Sequence, residues 1–350
     1  MADKKTSSDA LSKDQIISLL AAEGADAEKL YTLADTVRKE HVGDDVFIRG
    51  IIEFSNMCAN DCLYCGIRAS NHYVNRYVMT VEEIRETARS FEPMGLTTVV
   101  LQSGETPGIN DNEIGRLIRI IKSETGLAVT LSVGNRPREI YRFWKECGMD
   151  RYLIRFETSD RKLFARLHPD CSYDERINCL KVLKEMDVQT GSGFMIGLPG
   201  ETVETLADNI LLCRELDLDM IGIGPYIPHP DTPLGNEPNA YTGNEEMFFK
   251  ALAVLRLANP DSHIPATTAF DAVFPGTGRD LALQRGANVF MPNNTPLAHR
   301  KDYLLYPGKP CVDEAADHCT ACVMMRIETL GRRIGKGPGH SFKTHDKKVQ

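Results

Sequence analysis

Three cysteines fall within eight residues in the stretch NMCANDCLYCGIRASN (56–71): Cys58, Cys62 and Cys65, spaced Cys-x3-Cys-x2-Cys, with Tyr64 just before the last. Clustered thiols in a chain whose start carries no apolar signal segment read as metal or catalytic groups rather than disulfides. A structural zinc site wants four ligands, usually from paired Cys-x2-Cys knuckles. The nearest fourth candidate here, His72, lies seven residues past Cys65. Three thiolates in one tight loop suit a cubane 4Fe-4S cluster. Such clusters are normally fully thiolate-ligated, so the missing ligand predicts an open iron that takes an exogenous one. A packing trio is a weaker reading, because the loop is polar and rich in Asn.

A second trio, Cys311, Cys319 and Cys322, stands in CVDEAADHCTAC as Cys-x7-Cys-x2-Cys, with His318 adjacent. It reads either as a metal site or as thiols that share no metal. Pairing Cys62-x2-Cys65 with Cys319-x2-Cys322 around one zinc would strand Cys58 and Cys311. The remaining cysteines, Cys147, Cys171, Cys179 and Cys213, fall on helical stretches or near helix starts and read as packing residues.

Something rigid must position these groups. The chain has 350 residues, 42% of them hydrophobic, enough for one large core. Apolar, β-branched runs recur at 46–54, 97–103, 128–133, 151–157, 190–197, 220–226, 264–270 and 287–293. Stretches with helical apolar spacing, such as TVEEIRETARSFEPM and DNEIGRLIRIIKSE, lie between them. Eight strand–helix units predict an α/β fold, a complete (β/α)8 TIM-type barrel. The expected division is an N-terminal helical extension (1–45), the barrel (46–296) and a C-terminal segment with the second trio (297–350), its last residues loosely ordered. In such barrels chemistry gathers at the carboxyl ends of the strands. There lie the first trio, SGE (103–105), SVGN (132–135), RFET (155–158), GLPGE (197–201) and PYIPHP (225–230).

Net charge is −8 and no basic stripe occurs, which argues against nucleic acid. No run of about 18 apolar residues occurs, which argues against a membrane span. A cytoplasmic protein is expected.

The first trio after strand 1 of a barrel resembles the radical S-adenosylmethionine (SAM) enzymes. LQSGE, VTLSVG, DRYLIRFET, GLPG, DMIGIGPYIPHPDTPL, IPATTA, GANVFMPN and YPGKPC resemble the HydE family of FeFe-hydrogenase maturases from about Val46 to about Gly335. The resemblance implies a 4Fe-4S cluster on Cys58, Cys62 and Cys65 whose open iron binds SAM and yields a 5'-deoxyadenosyl radical. It implies that Ser103, Gly104 and Glu105 receive the SAM amino group, that Glu157 binds its ribose or amino group, and that Arg176 pairs with its carboxylate. It makes Tyr64 and Met195 neighbours of the adenine. It also implies an accessory cluster, 4Fe-4S or 2Fe-2S, on Cys311, Cys319 and Cys322, retained in only some members and peripheral to catalysis. No expected strand carries a cysteine, which disfavours a sulfur-inserting activity of the biotin synthase kind.

Deeper than SAM, the substrate is expected to meet strand-borne polar groups: Thr130, Ser132, Arg151, Arg155, Thr267, Thr268 and Tyr306, with the backbone around Asn293. Arginines and hydroxyls around a closed space predict a small anionic ligand. The family resemblance implies an iron-bound cysteine complex, with HydF, HydG and an electron donor as partners. Two departures stand out. Where HydE sequences read RHET this chain has Phe156, and where they read LGE it has Asn135. Strand alternation sends Phe156 to the helix layer if Arg155 and Glu157 point inward. The alternatives are a HydE-like or methylornithine-synthase-like enzyme acting on another small amino acid, and an iron–sulfur carrier that cleaves no SAM.

Overall fold

The apolar runs pair in parallel, each with the next. The computed structural model describes residues 10–105 and 110–343. Its first stave is β1 (Asp45–Ile48) continued by β2 (Gly50–Ser55). Next come β3 (Thr98–Ser103), β4 (Ala128–Ser132), β5 (Arg151–Leu153), β6 (Gln189–Ser192) with β7 (Met195–Ile196), and β8 (Met220–Ile221) with β9 (Gly224–Pro225). β10 (Pro265–Ala266) and β11 (Val289–Phe290) complete eight staves. Six strands form one ladder, β2-β3-β4-β5-β6-β8. The bridge Met220↔His263 carries it towards β10, and Phe47↔Val289 and Ile51↔Asn293 return it to the first stave, so the ring closes. This is a TIM-type α/β barrel.

The later staves are shorter than their apolar runs predict. Residues 264–270 were expected as strand, yet helix Thr268–Val273 takes over after β10 and turns Thr268 over the barrel end. Gly193 interrupts the fifth stave with φ +155. A Cβ there would lie 1.9 Å from the Gly222 carbonyl oxygen, so only glycine lets these two staves approach so closely.

Outside the ring, most helices bury one apolar stripe, whereas helix Glu246–Ala258 is buried nearly all round. Two of them start with reciprocal Ser/Thr–Gln/Glu capping boxes, Ser12 with Gln15 and Thr80 with Glu83. The N-terminal helices Lys13–Leu20 and Gly24–Val42 pack on helices Val203–Glu215 and Glu246–Ala258. No helix among the described residues is long and apolar enough to cross a membrane.

The tail from residue 336, expected to be loosely ordered, is instead tied down as far as Lys343; residues 344–350 lie outside the described residues. β12 (Arg333–Ile334) pairs with β1, and the chain then crosses the amino end of the barrel. Arg49 and Arg151 donate to the carbonyls of Gly339 (3.0 Å) and Pro338 (2.7 Å), and Ser341 N donates to Gln189 (2.9 Å).

Candidate active site

Strand β2 delivers the first trio into a loop with almost no regular structure, so side chains must hold it. Arg76 does most of this. Its guanidinium donates to the carbonyls of Asn56 (2.7 Å), Ile67 (2.8 Å), Arg68 (2.5 Å) and Asn71 (3.1 Å), a fixed fork closing the loop on itself. Asn71 donates to Gly66 O (2.7 Å), and Ala59 N to Glu105 O (2.8 Å). Cys58, Cys62 and Cys65 all line one cavity of about 360 Å³ at the carboxyl end of the barrel. Burial pushes all three thiols up, Cys65 to about 12. They are therefore neutral until a metal displaces their protons.

The loop after β3 lies against the cysteine loop. A Cβ on Gly104 would sit 2.2 Å from Met57 O and 2.8 Å from Cys58 Cβ, so this contact demands glycine. Beside it, Glu105 reaches Arg176 at 3.3 Å. Glu157 adopts φ +64, unusual for a residue with a side chain. The bonds Glu157 N to Gly193 O (3.0 Å) and Met195 N to Glu157 O (3.2 Å) hold it there. This strain aims its carboxylate into the cavity, 3.0 Å from Arg155 Nη2. Burial raises the Glu157 pKa, with Arg155 and Arg176 opposing. Arg155 Nε and Arg176 Nε are buried with no hydrogen-bond partner, and the Arg155–Glu157 pair is too poorly aligned to satisfy either side. Their residues line the cavity, and unsatisfied polar groups at its wall suit a polar ligand.

Tyr64, Ser103, Gly104, Glu105, Arg155, Glu157, Arg176 and Met195 line the cavity, as do Ser132, Thr267, Thr268 and Tyr306. Thr268 and Tyr306 share a 2.5 Å hydrogen bond, and Thr267 donates to Ile223 O (2.8 Å). Thr130 does not belong with them. It points inward but lies two residues before Ser132, about 6–7 Å lower along the strand. There it lines a separate cavity of about 10 Å³ with Arg49 and Arg151. Asn293 turns to Glu53, to which it donates at 3.0 Å. Residues the sequence reading missed also line the large cavity: Glu53, Gln102, His168, Tyr303 and Lys309. Lys309 and Glu53 form a buried ion pair at 2.5 Å. A carboxylate inside the apolar strand run GIIEF was a readable signal; Lys309 stood in the motif YPGKPC, but nothing there showed that it enters the barrel.

The comparisons with known proteins fit this geometry. Residues 52–213 match the model of the radical SAM superfamily. The chain is 51% identical over 312 residues to the "[FeFe] hydrogenase maturase subunit HydE" of Thermotoga maritima, covering 89% of this chain and 88% of that one. This chain is a radical SAM enzyme of the HydE family. More distantly, it is 30% identical over 320 residues to a 3-methylornithine synthase of Methanosarcina barkeri, covering 91% and 88% of the two chains. The crystal structure of methylornithine synthase superposes with a TM-score of 0.82 at 27% identity, covering 93% of this chain and 95% of that one.

Membership of the radical SAM superfamily implies a 4Fe-4S cluster and SAM. The residues fit them: three thiols meet at one cavity, and orphaned guanidinium and carboxylate atoms lie beside it. Neither departure from the HydE pattern reaches that cavity. Phe156 is fully buried in the helix layer, its ring 5.9 Å from that of Phe194, as alternation predicts. Asn135 follows the lining residue Gly134 but does not itself line the cavity; its carbonyl accepts from Arg136 (2.8 Å), and its side-chain oxygen is buried without a partner.

The second trio is only partly assembled in this HydE-family chain. Cys311, Cys319 and Glu314 place their ligand atoms within 4.8 Å of one another, while Cys322, one turn further along helix Ala316–Thr329, is exposed.

The GLPGE turn carries a buried acid. Glu201 Oε1 accepts from Gly197 N at 2.8 Å, and burial raises its pKa to about 8. The folded protein thus keeps a proton that the unfolded chain releases near pH 4.5. The stabilisation is full below that value and is lost as pH rises towards 8. Glu201→Gln, which keeps the acceptor without the charge, is expected to flatten stability over this window and to raise it at pH 8. Denaturant midpoints at pH 5 and pH 8 test this; equal slopes for both proteins would refute it.

Proposed function

We propose that this chain performs the radical SAM step in assembling the diiron active-site cluster of an FeFe-hydrogenase, in the cytoplasm, on a small anionic iron–cysteine complex. The observation carrying this reading is the 51% identity to a HydE over 89% of this chain, together with a cavity whose lining includes neither Phe156 nor Asn135, where the chain departs from the HydE pattern.

Cys58, Cys62 and Cys65 would hold the cluster. When bound, cluster and SAM supply a 5'-deoxyadenosyl radical; the protein orients them and excludes water. Ser103, Gly104 and Glu105 receive the SAM amino group, Glu157 its ribose or amino group, and Arg176 its carboxylate. Tyr64 and Met195 flank the adenine. Ser132, Arg155, Thr267, Thr268 and Tyr306 line the space for the substrate, whose carboxylate suits the Arg155 guanidinium. HydF, HydG and an electron donor are the partners. Cys311, Cys319 and, after a side-chain rotation, Cys322 carry a second cluster outside this path. The chain divides into a helical extension (1–45), the barrel (46–296) and a C-terminal segment (297–350).

The test is an anaerobic maturation mixture of this chain, HydF, HydG and apo-hydrogenase. Active hydrogenase is expected, both from the wild type and from a triple Cys311/Cys319/Cys322→Ser variant. SAM cleavage without maturation would overturn the assignment. Failure of the triple variant alone would overturn the peripheral role of the second trio.

A further inference from the structure

Two sets of bonds hold the cluster loop. Arg76 ties Asn56 to Ile67, Arg68 and Asn71, and the bond from Ala69 N to Asn60 O (2.9 Å) and the Arg68–Asp61 ion pair (3.1 Å) join the stretch before Cys62 to it. Leu63 and Tyr64 are held in addition by the end of helix Arg161–Leu167, on a different stave–helix unit. Leu63 N donates to Leu167 O at 2.9 Å. The Tyr64 hydroxyl meets His168 Nε2 at 2.9 Å, and His168 Nδ1 lies 3.1 Å from Phe164 O.

These contacts have a direction. Phe164 O can only accept, so Nδ1 carries the hydrogen. In the neutral ring Nε2 is then bare and accepts the Tyr64 proton. The imidazole is 3% exposed, stacked on Phe164 at 4.2 Å between ring centroids and set edge-on to Tyr64 at 5.4 Å. Both ring nitrogens are engaged, and the ring packs against an aromatic neighbour on either side. Tyr64 spends its one donor on this bond, which fixes the ring of the residue next to Cys65.

We propose that His168 is a positioning residue for the cluster loop, locking Tyr64 so that Cys62 and Cys65 keep their spacing when the cluster is reduced or SAM exchanges. This rests on the superfamily's 4Fe-4S cluster, not on the identity of the substrate.

The two ring nitrogens can be tested separately. A Gln side chain can place its amide oxygen near Nε2 and still accept from Tyr64. Asn reaches only as far as Nδ1 and keeps the Phe164 bond alone. In anaerobically reconstituted protein, the rate of iron loss to a ferrous chelator after dithionite reduction is expected to rise about five- to tenfold in Tyr64→Phe and in His168→Asn, the worth of one buried hydrogen bond. His168→Gln is expected to stay within about twofold of wild type. The double variant Tyr64→Phe/His168→Asn is expected to match either single variant, because one bond is lost only once. Additive effects, equal damage from Gln and Asn, or wild-type iron retention in Tyr64→Phe would each overturn the proposal. Hydrogenase maturation enters none of these measurements, so they stand whichever substrate the enzyme takes.

Discussion

Cys62→Ala is expected to abolish 5'-deoxyadenosine formation, and Cys58→Ala and Cys65→Ala to do the same. Three thiols line the cavity at the loop, and among the described residues no other cysteine lines it. A cubane that has already surrendered one protein ligand to SAM cannot spare another. No rate above background is expected, while the fold survives, because these partly exposed side chains contribute little to the core. Anaerobic reconstitution, iron and sulfide analysis, and mass spectrometry of SAM products measure the outcome. Near-normal 5'-deoxyadenosine from any one of the three variants would defeat the assignment of the loop.

A single methyl group should do nearly as much harm. In Gly104→Ala the new Cβ would meet Met57 O at 2.2 Å and Cys58 Cβ at 2.8 Å. Neither neighbour is the free end of a flexible side chain, so one loop must withdraw. The strain is about 1–3 kcal/mol, tolerable for a barrel of this size. The displacement matters more. A shift of about 1 Å between binding groups costs on the order of a hundredfold in rate. SAM cleavage is expected to fall by about that factor with the thermal midpoint lowered only a few degrees. An unchanged rate would mean that the close approach of the two loops has no part in catalysis.

What could be read in advance follows from physical cause. The barrel was legible because strand and helix impose different apolar periods on one chain, and the cysteine loop because thiols are scarce and their spacing is diagnostic. Alternation placed Phe156 correctly in the helix layer. It could not place Thr130, because a period of two gives the face of a strand and not the depth along it. Thr268 was read as strand because its apolar run continued past β10, where helix geometry wins instead. The grip of residues 337–341 on the barrel was invisible. It consists largely of side chains bonded to backbone carbonyls, and a carbonyl looks the same in every sequence.

That grip has a consequence for traffic. With the amino end of the barrel crossed by the chain's own terminus, the large cavity communicates with solvent at the end where the cysteine loop lies. A tube stopped at one end is filled and emptied like a stack. Whatever occupies its inner reach, near Ser132 and Thr267, must arrive before the molecule that sits against the cysteines and leave after it. Steady-state kinetics should therefore show compulsory order, the deeper ligand first. The layer of Arg49, Thr130 and Arg151 beneath the cavity, fastened by residues 337–341 far from any reacting atom, would set that order by closing the other way out.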